Sequence, residues 1–139
     1  MVELVVGGKG KGKTKILLEK AAEAIKNANG SVVYVDKNNQ HMYELSNKIR
    51  LIDITQYPVK GTEGFFGFIS GMIASNHDLE YVILDSFLTI ATLEEKGLVS
   101  AVELIKSLSE RYGVNFVLSI SMDEAQIPAE IKELISVAL

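Results

Sequence analysis

The sequence contains no cysteine, which excludes both a disulfide frame and a thiolate metal site. Its two histidines, His41 and His77, stand far apart in the chain, too few to suggest zinc. No apolar run reaches the roughly 18 residues that a membrane-spanning helix requires. The opening MVELVVGGKG lacks the basic, apolar and small-residue order of a signal peptide. A cytoplasmic protein with no membrane partner is therefore expected. Positive charge is also short: 14 Lys and Arg against 18 Asp and Glu leave a net charge of −4. That balance argues against a broad nucleic-acid-binding surface, so a nucleic-acid partner is not expected. The charge is uneven, however, because Lys9, Lys11 and Lys13 fall within five residues and Lys15 follows.

What is present fits one globular domain over residues 1–139, with 47% hydrophobic and 23% charged residues. Strand-like apolar runs alternate with segments of helical period. That order predicts βαβ units and a mostly parallel sheet of about five or six strands with helices on both faces, an α/β class. The runs Glu3–Val6, Ser31–Asp36, Arg50–Ile54, Glu80–Asp85 and Val114–Ser121 are the expected strands, and Ser136–Leu139 is a possible last edge strand. Helices are expected over Thr14–Asn27, around Gln40–Asn47, over about Thr62–Ser75 and Leu98–Tyr112, and from Pro128 to near Ile135. Asn29-Gly30 has the chemistry of a left-handed helix stop. Gly67 and Gly71, four apart in the third helix, suggest a face pressed closely against the sheet, with a partner interface as the alternative.

Gly7-Gly8-Lys9-Gly10-Lys11-Gly12-Lys13-Thr14 satisfies G-x-x-x-x-G-K-[ST], the Walker A pattern of a phosphate loop, between an expected strand and an expected helix. Each residue type has a physical reason. Glycines let successive backbone N–H groups turn toward phosphate oxygens, and the helix that follows adds its N-terminal partial charge. Lys13 is expected to reach the β- and γ-phosphates and the Thr14 hydroxyl to ligate Mg²⁺. Lys9 and Lys11 can add phosphate affinity, act on a neighbouring subunit's nucleotide, or simply be solvated. A magnesium-holding aspartate is expected at the end of a later apolar strand; Asp85 in YVILDS fits, with Asp36 in VVYVD as its competitor. No guanine-specifying Asn/Thr-Lys-x-Asp stretch follows a late strand, so ATP is the expected nucleotide.

In the order GGKGKGKT, VVYVD, RLIDIT, YVILDS, with NFVLSIS as a further strand, the chain resembles the RecA/KaiC-type branch of P-loop ATPases. It is also similar to small bacterial ATP-binding proteins labelled twitching-motility-like. The resemblance implies a three-layer P-loop fold that binds Mg-ATP, with the fifth strand as a sensor strand. It also exposes departures. RecA relatives carry a water-orienting glutamate two residues beyond the second strand's aspartate, where this chain has Asn38. Many other P-loop ATPases place a glutamate directly after the magnesium aspartate, where this chain has Ser86. No spacing nominates Glu94, Glu95 or Glu124 as a substitute. Arg50 and Arg111 are expected to be surface residues rather than transition-state fingers. Ser119 and Ser121 occupy the sensor strand; their hydroxyls could sense a γ-phosphate, but a buried serine bonding to backbone is the expected account. MDEAQIPAE is acidic where DNA-handling relatives have a basic loop.

An intact phosphate loop without the usual base or finger leads to a nucleotide-dependent regulatory or assembly module with weak or partner-dependent hydrolysis. A competent ATPase whose site is completed in trans in a homo-oligomer is the alternative. A small-molecule kinase fits less well, since two scattered arginines do not make an arginine-rich lid.

Overall fold

The computed structural model describes residues 1–139. Six strands are joined by helices in the order β1 (Val2–Val6), α1 (Lys13–Asn27), β2 (Ser31–Asp36), β3 (Ile49–Asp53), α2 (Gly61–Ser75), β4 (Leu79–Leu84), α3 (Phe87–Ile90), α4 (Leu98–Tyr112), β5 (Asn115–Ile120) and β6 (Ile135–Ala138). The strands form one sheet in the order β3-β2-β4-β5-β1-β6. Every strand pair is parallel. The expected α/β class and strand number are both observed.

The sheet order accounts for the layering. From β1 the chain crosses past β5 and β4 to reach β2, and from β3 it returns through β4 and β5 to β6. Right-handed crossovers taken in opposite directions deposit their helices on opposite faces. The apolar clusters follow suit. Leu17, Ala21 and Ala24 of α1 pack with Val5, Tyr34, Ile83 and Val117 on one face. On the other, Phe65 and Ile69 of α2 and Leu98, Val102 and Ile105 of α4 meet Leu4, Val35, Leu84 and Phe116. Side chains alternate between faces along each strand, and both faces are covered, so the central strands are nearly all apolar. Each fully buried Leu, Ile or Phe adds about 1.5–3 kcal/mol by leaving water. No helix is long and apolar enough to cross a membrane.

Several expectations need correction. Gln40–Asn47 forms no α-helix; only a 3₁₀ turn at Met42–Glu44 appears. All three of its residues are exposed, so no apolar face exists to hold a longer helix down. The segment after Pro128 is also 3₁₀, over Ala129–Leu134. The larger rise of that helix lets a short connection return to β6. Asn29-Gly30 does not act as a left-handed stop, because α1 ends on an extended Ala28. Gly30 is required instead by close approach: an added Cβ would overlap the Asp78 carbonyl oxygen. The Glu80 carboxylate accepts from the N–H groups of both Asn29 and Gly30, at 2.9 and 2.7 Å. Gly67 and Gly71 face away from the sheet, with nothing within 4 Å of where a Cβ would lie. The close packing expected of them is absent.

Candidate functional site

A cleft of about 740 Å³ opens at the carboxyl ends of the central strands. Its walls come from the segments that leave β1, β2, β4 and β5, including Lys13 and Thr14, Gln40 and His41, Asp85 and Ser119. The connection from β1 goes to one face of the sheet and that from neighbouring β5 to the other. Such a switch point leaves a crevice beyond the strand ends, where ligands of open α/β sheets bind. A second cavity of about 260 Å³ lies elsewhere, between the C-terminal parts of α2 and α4, and is largely apolar.

The segment Gly7–Thr14 runs from the end of β1 into the first turn of α1. Gly10 and Gly12 have φ of 78° and 97°, a region costly for residues bearing a Cβ. Gly12 is thereby the left-handed residue from which α1 starts. The loop's backbone donors are left free. None of the N–H groups from Gly7 to Lys15 donates to a protein acceptor; the first to do so is that of Ile16, to Gly12 O at 3.4 Å. An ordinary helix start leaves about four such donors, and here the loop extends the run. Lys13 is buried and its Nζ donates to Gly8 O at 2.9 Å. Burial pushes the Lys13 ammonium pKa down, and the nearby Asp85 carboxylate opposes that shift. Lys9 lines the cleft, whereas Lys11 does not; both are exposed.

Asp85 follows β4 directly and is buried. Its Oδ2 accepts from Thr14 Oγ1 at 3.0 Å and from Tyr34 OH at 2.7 Å. Its Oδ1 accepts from Ser119 Oγ at 2.9 Å. Ser119 in turn accepts from the N–H of Ser86 at 2.7 Å. Ser86 adopts a left-handed conformation, φ 57° and ψ 55°, uncommon for a residue with a Cβ. That turn aims its N–H at Ser119 and starts α3, which docks through Phe87 edge-on to Phe65, ring centroids 6.0 Å apart. Tyr34 is fully buried, and its pKa is raised well above the ordinary phenol value, first by burial and then by Asp85. Tyr34 therefore stays a neutral donor.

The competitor, Asp36, is also buried but accepts only from the Lys37 N–H, at 2.6 Å. Burial and then repulsion from Asp85 raise its pKa, with the Lys37 N–H and His41 working against the rise. Thr14 is thus paired with Asp85 and not with Asp36.

Other candidates lie elsewhere. Asn38 does not line the cleft; its Oδ1 accepts from the Gln40 N–H at 3.2 Å. None of Glu94, Glu95 and Glu124 lines it either, and Glu94 pairs with Lys96 at 3.2 Å. Arg50 is exposed near the amino end of β3. Arg111 lies in the last turn of α4 over the Tyr112 ring, 5.3 Å from its centroid, at the opposite end of the sheet from the cleft. Ser119 is buried and bonds to backbone as expected, accepting from the Ser86 N–H, and it also donates to the Asp85 carboxylate.

Sequence reasoning missed Tyr34, Gln40 and His41. Tyr34 carried a signal, a lone polar-tipped residue inside the apolar run VVYV, since a buried hydroxyl needs a partner. No group of three or more His, Asp or Glu side chains converges to hold a metal ion by itself. No protein-family model matches the sequence, and no curated protein matches it.

Proposed function

We propose that this chain binds the magnesium complex of a nucleoside triphosphate, ATP by preference, through Gly7–Thr14. In this reading it acts as a nucleotide-dependent regulatory or assembly module with weak or partner-dependent hydrolysis. One observation carries the reading. The N–H groups from Gly7 to Lys15 are unpartnered and end at a helix N-terminus beside the Lys13 ammonium, and Lys9, Gly10, Gly12, Lys13 and Thr14 of that run line the strand-end cleft. That donor set matches a polyphosphate, whose oxygens accept many hydrogen bonds and carry several negative charges. Similarity to the RecA/KaiC-type ATPases is part of the same proposal, supported by the order of the sequence segments.

Thr14 and Asp85 are the residues that would hold magnesium, and their hydrogen bond puts a hydroxyl and a carboxylate side by side at the loop. Without a cluster of three ligating side chains, the ion would arrive with phosphate oxygens and water completing its shell. When bound, it would neutralise phosphate charge. Lys13 would leave Gly8 O for phosphate oxygen, an exchange favoured by its burial without a directly bonded carboxylate.

The test is calorimetric titration with Mg-ATP. Binding is expected, and Lys13→Ala should weaken it about 10–100-fold, the loss of one or two charge-assisted hydrogen bonds. Unchanged binding in that variant would remove the loop from the site. A trans-completed ATPase is the alternative: neither arginine lies at this cleft, so an arginine finger would have to come from another copy, whereas Lys9 could supply the charge from this one. Phosphate release that climbs with protein concentration supports it, and a flat rate supports the module.

A further inference from the structure

His41 stands in the cleft wall with both ring nitrogens engaged. Nδ1 faces the Glu44 carboxylate one turn on, and Nε2 lies 3.1 Å from Nε2 of the Gln40 amide. A carboxylate only accepts, so Nδ1 must carry a proton; an amide NH₂ donates, so ring Nε2 must offer its lone pair. The two neighbours select one tautomer, with the lone pair on Nε2 of a ring that lines the cleft. Around the ring are Glu44 on its own turn, and Asp36 and Lys37 at the end of β2. Asp36 interacts with His41 electrostatically, and Lys37 lines the same cleft. Glu44 is also close enough to act on Tyr34, the donor to Asp85, so the turn belongs to the same charged neighbourhood as the loop.

This arrangement answers a chemical deficit. Asn38 and Ser86 cannot take a proton, and the exposed glutamates face elsewhere. Resting on the nucleotide reading above, we propose that His41 is the general base for hydrolysis of the bound triphosphate, oriented for that role by Glu44. The water oxygen bonds to the γ-phosphorus as the bond from that phosphorus to the bridging oxygen breaks, its electron pair leaving on the nucleoside diphosphate. The water's proton goes to His41 Nε2. The resulting imidazolium is stabilised by Glu44 at Nδ1 and returns its proton to solvent. Gln40, already bonded at Nε2, yields that position to the water and keeps an amide beside it.

Two measurements test this on the full chain. Nitrogen-15 NMR of the nucleotide-free protein, with His77→Gln to assign the second ring, should show the Nδ1–H tautomer of His41. Glu44→Gln should shift it toward a mixture. In single-turnover hydrolysis of Mg-ATP, His41→Gln should slow the chemical step at least about 100-fold, the usual contribution of a placed base. Mg-ATP affinity should change little, and His77→Gln should match the unsubstituted protein. Imidazole should partly restore His41→Ala. A predominant Nε2–H tautomer, an unslowed His41→Gln, or Mg-ATP bound without measurable turnover would each overturn this proposal and leave the binding reading standing. Failure of the unsubstituted protein to bind Mg-ATP would overturn both.

Discussion

Around Asp85 three hydroxyls, from Thr14, Tyr34 and Ser119, point at one carboxylate. Each comes from a different element, so the carboxylate joins α1, β2 and β5 to the end of β4. Hydrogen bonds to a charged acceptor are worth about 1.5–3 kcal/mol. Tyr34→Phe keeps the ring's packing and deletes one of them; urea unfolding should register a loss in that range. Asp36 is expected to behave in the opposite sense. Its native pKa is raised, so protonation stabilises the fold fully below the ordinary carboxylate value of about 4. That stabilisation is lost as pH rises through the native value. At pH 7 the native state therefore carries a penalty. Asp36→Asn, which still accepts from the Lys37 N–H, should raise Tm at pH 7, with the gain shrinking as pH falls toward 4. Thermal melts across that interval check the sign.

Among the elements, glycines divide into those the fold needs and those it tolerates. Gly67 and Gly71 lie inside α2 with open space beside them. Alanine there should stabilise by about 0.5–1 kcal/mol each, by lowering the entropy of the unfolded chain and raising helix propensity. Gly30→Ala should cost well over 1 kcal/mol, because the new methyl meets backbone and not a yielding side chain. Chemical denaturation of the three variants separates the cases. The same contrast explains what the sequence made legible. The strands and the loop could be read because their signals are local: apolar runs of strand length and glycine spacing. The span of α4 agrees residue for residue, Leu98–Tyr112, since its apolar stripe is regular. Hidden features depended on distant partners. Gly30 answers Asp78, Tyr34 answers Asp85, and Ser119 reaches Asp85 across a strand boundary. The one-turn α3 was invisible because four residues cannot display a period.

For the molecule as a whole, a ligand that binds only the native state adds stability by mass action. Mg-ATP at 100 times its Kd should add about 2.7 kcal/mol, a Tm rise of about 5–10 °C for a domain of this size. In Lys13→Ala, weakened about 10–100-fold, the same nucleotide concentration should add only about 0.4–1.4 kcal/mol, and scanning calorimetry with and without nucleotide measures both. The sheet order sets a further condition on when that can happen. β1 enters the sheet by pairing with β5, Val2 beside Phe116 through Val6 beside Ile120, and Thr14 meets Asp85 across 71 positions of chain. Closing so long a loop costs entropy before any contact repays it, so such pairings form late and slowly. The glycine-lysine loop is thus synthesised before β4 and β5, the strands that complete its cleft. Nucleotide binding during synthesis would report a finished sheet.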